Sequence, residues 1–561
     1  MKFRLAPAGR ARLLLRVPAA RKKSAARSAP RIPPSGALEA VSAALAETGE
    51  GLPAPRPLFD WLKERGAGVL LHPTCLPGAQ GVGTFDEHLL SFLDFLQDVG
   101  MKYWQICPLG PTGYGDSPYQ CFSAFAGNPY LVDLGVLVRA GLLKPDELAP
   151  LQSLPADRVD FGALHRLKWP LLFAAHARFV QQKRRTALPY GDFDAFRQKH
   201  ALWLDPYCYY RALKDHFGGG DWHEWPADVQ HYGSALKSHL HARLAPAIEA
   251  HAFTQWLFFG QWELVRAAAR ERGIAIIGDL PIFVAADSAD AWSAPHLFEV
   301  DPQTLKPAAV AGVPPDYFAE DGQFWGNPLY RWEAHAADDY AWWRARLASS
   351  FALCDIVRID HFRGFDACWR VPLPAKNARG GAWVPGPGLD FFRELHHAFP
   401  AARIIAEDLG VQTDSVRALL RDTGLPGMLV LQFAFGGDAA NAYLPHHHAA
   451  NAVIYPGTHD NDTTLGWYRT AGEHVRDHVR RYLRVDGREA GWDFIRSAYA
   501  SPARLAIVSL PDLMSLGSDA RFNLPGEPEG NWQWRYSSAR LAALARNSSA
   551  YLKELASLHA R

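Results

Sequence analysis

The sequence predicts a (β/α)8 barrel, the TIM-barrel architecture of the α/β class, with helical insertion subdomains after its second and third strands. Apolar, β-branched runs recur along the chain, and amphipathic helical patterns separate most of them, which indicates a parallel sheet wrapped by helices. Eight such runs favour a closed barrel. At 561 residues the chain is too long for one compact core, so a barrel with insertions also accounts for its length.

The strand-like runs are short and apolar, and several of them end on a carboxylate. They cover residues 68–72, 103–108, 274–280, 355–360, 403–407, 428–433, 452–455 and 505–510. One of the intervening helical patterns begins at Thr84, where Glu87 three residues on completes a capping box, and it ends at Gly100.

The spacing of the runs is irregular in two places. About 165 residues separate the second and third runs, far more than one crossover helix needs, and residues 164–182 and 253–272 within this gap have helical patterns. We therefore expect a mostly helical insertion subdomain over 135–270. A shorter insertion over 285–334 follows the third run and is rich in Gly, Pro and aromatic residues. Because loops after barrel strands face the active site, this segment is a predicted lid.

The charge distribution sets the first 55 residues apart from the barrel, which is expected to occupy 56–561. Residues 1–38 carry ten Lys or Arg and no acid, leaving 49 of the 59 basic residues against all 58 acidic residues in the remainder. The leader has the composition of an organelle transit peptide, and equally that of a disordered extension from an Arg- and Ala-rich bacterial proteome. A cytoplasmic location is expected, with a plastid as the alternative.

Composition excludes several classes of function. The mildly acidic remainder gives no support to nucleic-acid binding, and no apolar run approaches the roughly 20 residues of a membrane span. The six cysteines show no metal-ligand spacing, and we expect neither a metal nor an organic cofactor. The 19 Trp, 19 Tyr and 30 Phe fit core packing, or a sugar-binding cleft whose aromatic rings stack on pyranose faces.

Three of the apolar runs lead into candidate catalytic acids. Asp360 and Glu407 end the fourth and fifth runs, and Asp460 lies in a polar cluster after the seventh. Side chains alternate along a strand, so Arg358 is expected to point the same way as Asp360 and to favour its ionised form. Two carboxylates flanking a sugar can cleave a glycosidic bond through a covalent intermediate, and a third can hold the substrate.

Long sequence segments then carry a resemblance to a family. They are 110–120 (GPTGYGDSPYQ), 123–130 (SAFAGNPY), 358–364 (RIDHFRG) and 406–410 (AEDLG). From about residue 66 to about 536 the chain resembles the 4-α-glucanotransferases of the amylomaltase, or disproportionating-enzyme, family, which is related to the α-amylases.

The resemblance implies a retaining double displacement between α-1,4-glucans, with Asp360 as nucleophile, Glu407 as acid/base and Asp460 as transition-state stabiliser. It also implies substrate-binding residues around them, at the donor sugar, in the lid and near the C-terminal end. These are Tyr119, Asp279, Arg358, His361, His459, Ser117, Gln323, Trp325 and Asn523.

Two alternatives remain open from the sequence. An α-glucan hydrolase uses the same barrel chemistry, because only the molecule that resolves the intermediate differs. A glucan-binding scaffold without catalysis is the other, although every acid that catalysis needs is present. The expected partners are an α-1,4-glucan donor and a glucose or maltooligosaccharide acceptor, bound by a monomer or homodimer.

Overall fold

A computed structural model describes residues 56–183, 188–315, 320–410, 412–527 and 529–561. The predicted basic leader, residues 1–55, lies outside this described part of the chain. The strands in the described residues are numbered in chain order. They are β1 (Gly66–Leu70), β2 (Tyr103–Gln105), β3 (Ala275–Leu280), β4 (Ala309–Val313), β5 (Gln323–Pro328), β6 (Ile356–Ile359), β7 (Ala367–Pro372), β8 (Ala382–Pro385), β9 (Ile404–Ala406), β10 (Gly427–Val430), β11 (Ala452–Tyr455) and β12 (Leu505–Ser509).

Eight of these strands form the predicted barrel. They pair in the order β10-β11-β12-β1-β2-β3-β6-β9, and every pairing is parallel. The two ends of the sheet meet where the amide of Ala406 donates to the carbonyl of Pro426 at 2.9 Å, just before β10. The barrel prediction is confirmed, and each of the eight predicted runs overlaps one of its strands.

The α-helices of the described residues surround the barrel or belong to its insertions. They are α1 (Glu87–Asp98), α2 (Leu134–Arg139), α3 (Ala149–Gln152), α4 (Phe161–Gln181), α5 (Phe193–His216), α6 (Tyr232–Ala235), α7 (His239–Arg243), α8 (Ala245–Glu271), α9 (Ala289–Ser293), α10 (Trp332–Ala336), α11 (Ala341–Leu353), α12 (Gly388–Ala398), α13 (Asp414–Thr423), α14 (Thr464–Thr470), α15 (Glu473–Leu483), α16 (Ala490–Ala500), α17 (Leu510–Leu513) and α18 (Ser538–Leu558).

The barrel strands are apolar because both of their faces are covered. Every residue of β1, β6, β11 and β12 is buried, as parallel strands between a filled barrel interior and outer helices require. Removing this surface from water is the main stabilising term for the barrel. Even Arg358, in the middle of β6, is buried, and this buried charge lies where the functional site forms.

The segment between β2 and β3 is helical, with α2 to α8 in it. The two predicted helices correspond to α4 and to α8, whose amino end begins eight residues before the pattern at 253 suggested. Asp160 and Asp192 cap α4 and α5, each accepting a hydrogen bond from a backbone amide of the first turn.

The segment after β3 contains strands as well as the helix α9. Strands β4 and β5 pair with β7 and β8, which follow β6, in a four-stranded antiparallel sheet of order β5-β4-β7-β8. The predicted lid over 285–334 is therefore joined by backbone hydrogen bonds to residues that come after the fourth barrel strand. Gly, Pro and a break in register between β4 and β5 obscure the alternation that would have indicated these strands.

The first barrel helix begins slightly later than its sequence pattern suggests. Asp86 is the N-cap of α1 and accepts from the amide of His88 at 2.9 Å, while the hydroxyl of Thr84 donates to the same carboxylate at 2.8 Å. An Asp two residues closer to the helix satisfies its first amides better than the Thr84–Glu87 capping box.

Among the described residues, no helix combines the length and the hydropathy that crossing a membrane would need.

Candidate active site

The candidate acids gather at the carboxyl ends of three neighbouring barrel strands and of one further strand. Asp279 lies in β3, Asp360 follows β6 directly, and Glu407 follows β9. Since β3, β6 and β9 are adjacent in the sheet, these side chains meet at the mouth of the barrel. Asp460 reaches the same region from the loop after β11, across the barrel opening.

Arg358 is the charge that holds this cluster together. Its register partner on β3 is Asp279, and its Nη1 donates to both oxygens of that carboxylate at 2.7 and 2.6 Å. Its Nη2 lies 3.1 Å from Oδ1 of Asp360, the residue two positions on along the same strand. Burial alone would lower the pKa of Arg358, but Asp279 and Asp360 raise it well above its ordinary value. Arg358 is therefore a permanent cation between two acids.

Glu407 sits in a backbone cradle. Its Oε2 accepts from the amide of His361 at 2.7 Å and its Oε1 from the amide of Leu409 at 2.8 Å. His361 reaches this position with a left-handed backbone (φ 52°, ψ 51°), a conformation that is strained for a residue other than glycine. Burial and the nearby charge of Asp360 raise the pKa of Glu407 to about 7, against the lowering effects of Arg358 and these amides.

The pKa of Asp360 is also raised, to about 6, mainly by burial. Arg358 opposes this shift, while the charges of Asp279 and Asp460 add to it. The two neighbouring carboxyls thus differ, with Asp360 the more acidic of the pair and Glu407 the more easily protonated. Such a pair can present one ionised and one protonated carboxyl near neutral pH.

Asp460 is held in the ionised form. Burial would raise its pKa, but His459, Asn523 and Arg358 together lower it well below its usual range. Nε2 of His459 lies 3.2 Å from its Oδ2, and Nδ2 of Asn523 donates to its Oδ1 at 2.7 Å. The side chain of Arg521 fixes the backbone here, donating to the carbonyl of Asp460 at 2.7 Å.

An aromatic wall stands beside the acids. The Tyr119 ring stacks on His459 with 5.1 Å between centroids, and its hydroxyl donates to Oδ2 of Asp279 at 2.8 Å. Trp532 lies 5.8 Å from both rings. The hydroxyl oxygen of Ser117 accepts from the amide of Tyr119 at 3.2 Å, which links Ser117 to these rings. Flat rings of this kind match the apolar faces of pyranose units.

Strand β5 brings the lid residues to the same cleft. The Trp325 ring meets His361 edge-on at 4.9 Å, and its indole N–H donates to Oε1 of Gln323 at 3.1 Å. Phe324 between them is directed to the other face of the strand and is 41% exposed. Gln323 and Trp325 thus lie next to the loop that carries Asp360.

The structure brings all twelve sequence-predicted site residues into one contiguous network; Ser117 joins it through the amide of Tyr119. Sequence reasoning did not select Trp532 or Arg521. Arg521 lies two residues before the predicted Asn523, so its place in the sequence could have indicated it. Trp532 had no such signal, because only the fold places its ring against Tyr119 and His459.

A barrel that collects several acids and aromatic rings at the carboxyl ends of its strands defines an enzyme of the glycoside-hydrolase type. The family model described as 4-alpha-glucanotransferase matches residues 71–541. The 4-alpha-glucanotransferase of Thermus thermophilus is 46% identical over 85% of this chain and 96% of its own, and that of Synechocystis is 44% identical over 88% and 98%. The amylomaltase of Streptococcus agalactiae, solved in complex with acarbose, superposes with a TM-score of 0.84 at 35% identity, covering 89% of this chain and all of that one. The chain belongs to the 4-alpha-glucanotransferase family and is a glucan-transferring enzyme.

Proposed function

We propose that the protein transfers segments of α-1,4-glucan between maltooligosaccharides by a retaining double displacement, with Asp360 as nucleophile, Glu407 as acid/base and Asp460 as stabiliser of the transition state. The donor is an α-1,4-glucan, and the acceptor is glucose or a maltooligosaccharide. The observation that carries the proposal is the pairing of an Arg358-bound Asp360 with a Glu407 whose pKa is raised to about 7.

In the first step, the Asp360 carboxylate attacks the anomeric carbon of the donor and forms an ester bond to it. The bond from that carbon to the glycosidic oxygen breaks, and Glu407 gives its proton to the leaving 4-oxygen. The raised pKa of Glu407 keeps this proton available near neutral pH. The ionised Asp460 faces the positive charge that develops on the ring as it flattens.

In the second step, the 4-hydroxyl of an acceptor attacks the same carbon and loses its proton to Glu407, and the Asp360 carboxylate is released. Water at that position would give hydrolysis instead. Trp325 meets His361, next to Asp360, and Gln323 bonds to Trp325, which supports exclusion of water from this position in favour of a sugar.

Incubation of the purified protein with maltotriose alone separates the possibilities. Transfer yields glucose with maltopentaose and longer chains, and leaves the number of reducing ends constant. A hydrolase yields glucose and maltose with rising reducing ends, and a binding scaffold leaves maltotriose unchanged. Chromatography over time with a parallel reducing-end assay reads all three outcomes.

Asp360→Asn tests the nucleophile. Without a carboxylate no ester forms, so transfer and hydrolysis fall together by roughly 10³-fold or more, while binding of maltooligosaccharides by calorimetry persists. Asp390→Asn is the control, because Asp390 lies on α12 with its side chain 80% exposed. Near-normal turnover of Asp360→Asn would overturn the assignment.

A further inference from the structure

The base of the lid insertion (residues 285–334) is tied across its two stems. The hydroxyl of Tyr330, on the returning stem, donates to the carbonyl of Ile282 on the outgoing stem at 2.8 Å. Higher up, Nδ2 of Asn327 donates to the carbonyl of Val284 at 2.8 Å. The position of β5, which ends at Pro328, therefore depends on how these two stems are held.

Arg346, on α11, donates hydrogen bonds to both stems. Its Nη1 donates to the carbonyl of Ile282 at 2.9 Å and to the hydroxyl oxygen of Tyr330 at 3.2 Å, and its Nη2 donates to the carbonyl of Pro281 at 2.5 Å. The residue is only 2% exposed, and its guanidinium lies 4.9 Å from the ring centroid of Trp343. The guanidinium is planar and its place beside the Trp343 ring limits its movement. It therefore holds the two carbonyls and the Tyr330 hydroxyl in one fixed arrangement.

Contacts lead from this base to the reacting groups. Pro281 follows Leu280, whose carbonyl accepts from the amide of Asp360 at 3.0 Å. Tyr330 stacks on Phe283 at 5.9 Å, and Phe283 lies 6.4 Å from Trp325, the ring that meets His361. Displacement of the stems would therefore move Trp325 relative to the cleft.

We infer that Arg346 is a positioning residue: it fixes the stems of the lid and thereby holds Trp325 and Gln323 at the cleft. The position of these two side chains in turn sets the ratio of transfer to hydrolysis. The inference rests on the proposed function, in which the lid excludes water from the covalent intermediate. The acceptor hydroxyl or water attacks the anomeric carbon and gives a proton to Glu407. The bond between that carbon and the Asp360 carboxylate breaks in the same step. Arg346 touches none of these groups and acts only on which nucleophile gains access.

Arg346→Met keeps the aliphatic stem and removes the donors that bind Pro281, Ile282 and Tyr330. We expect the ratio of hydrolysis to transfer from maltotriose to rise about tenfold, equivalent to roughly 1.4 kcal/mol between the two second steps. Donor consumption should change by less than about threefold. Arg346→Lys, which retains one charged donor, should give an intermediate ratio. The control is Arg344→Met, on the same helix, with an unchanged ratio.

Two further variants keep the inference falsifiable. If Arg346→Met does not fold, Tyr330→Phe, which removes only the hydroxyl between Ile282 and Arg346, has to raise the ratio. Folded variants at Arg346 and Tyr330 that all retain the wild-type ratio would overturn the inference. Trp325→Ala tells the two failures apart: an unchanged ratio there refutes water exclusion by the lid itself, whereas a raised ratio in Trp325→Ala alone refutes only the role of Arg346.

Discussion

At the scale of single residues, the division of labour between Asp360 and Glu407 arises from their surroundings. Both carboxyls are partly buried, and this burial raises the pKa of each. Arg358 contacts Asp360 directly at 3.1 Å, whereas Glu407 receives backbone amides and the repulsion of Asp360. The cation therefore favours ionisation of Asp360, and the proton that the pair retains resides on Glu407.

The pH dependence of kcat/KM should report this pair. Glu407 has to be protonated in the first step, so activity is lost as pH rises through its raised pKa of about 7. Asp360 has to be ionised, so activity is lost as pH falls through about 6. With maltotriose we expect a narrow bell-shaped dependence of kcat/KM on pH between these limits. Its two apparent pKa values describe the coupled Asp360–Glu407 pair and not either residue alone.

Glu407→Gln combined with an α-maltosyl fluoride donor tests the assignment behind that profile. Fluoride leaves without a proton, so this variant should still release a stoichiometric burst of fluoride while its use of maltotriose collapses. Asp360→Asn is the matched comparison and should give no burst. If the Glu407→Gln enzyme still used maltotriose and still lost activity as pH rose through about 7, the role of Glu407 as acid/base would be refuted.

At the scale of elements, the sequence predicts where the lid lies along the chain but not its secondary structure. Its position after β3 and its aromatic content indicated a loop over the cleft, and Gln323 and Trp325 do lie beside His361. Its pairing with β7 and β8 could not be read from the sequence, because the partner strands follow another barrel strand and carry no regular alternation. Local patterns identify the barrel strands because most of them are runs of bulky or β-branched apolar residues. In the lid, β4 is made of small residues with a glycine, and β5 is interrupted by Gln323 and Asn327.

Trp325→Ala is expected to raise hydrolysis relative to transfer, by about tenfold or less, because the ring that borders His361 is replaced by a methyl group that admits water. Phe324→Ala is the control one residue away on the opposite face of β5, and it should leave the ratio unchanged. The measurement is reducing-end gain against maltopentaose formation from maltotriose. If the ratio of hydrolysis to transfer in Trp325→Ala equalled that in Phe324→Ala, water would be excluded elsewhere in the cleft.

At the scale of the whole molecule, the site was predictable to the extent that its residues lie in motifs at strand ends. Asp360, Glu407 and Asp460 are more than 40 residues apart in sequence, yet the regular geometry of a barrel brings strand ends together. Trp532 belongs to no strand and joins the wall beside Tyr119 only through the course of the chain after β12. Such a contact depends on long-range packing, which no local pattern carries.

The opposite, amino-terminal end of the barrel has a different task. There the buried Arg561 side chain donates hydrogen bonds to six backbone carbonyls, which include those at the starts of two barrel strands. The acceptors are Gly66, Ala498, Tyr499, Ser501, Ala503 and Arg504. Burial and the adjacent Arg65 lower the pKa of Arg561 to about 9, so it remains a cation at neutral pH. Residues at this end of a barrel contribute to stability, whereas those at the other end react.

Arg561→Met should therefore separate stability from catalysis. Loss of the donors leaves several buried carbonyls without partners, and the free energy of unfolding should fall by about 2–4 kcal/mol. The transfer rate and the hydrolysis ratio at 25 °C should be unchanged, because the barrel interior lies between this end and Asp360. Thermal unfolding and the maltotriose assay measure the two effects, with the exposed Arg546→Met on α18 as control. An Arg561→Met enzyme with native stability and altered transfer would instead show that the two ends of the barrel are coupled.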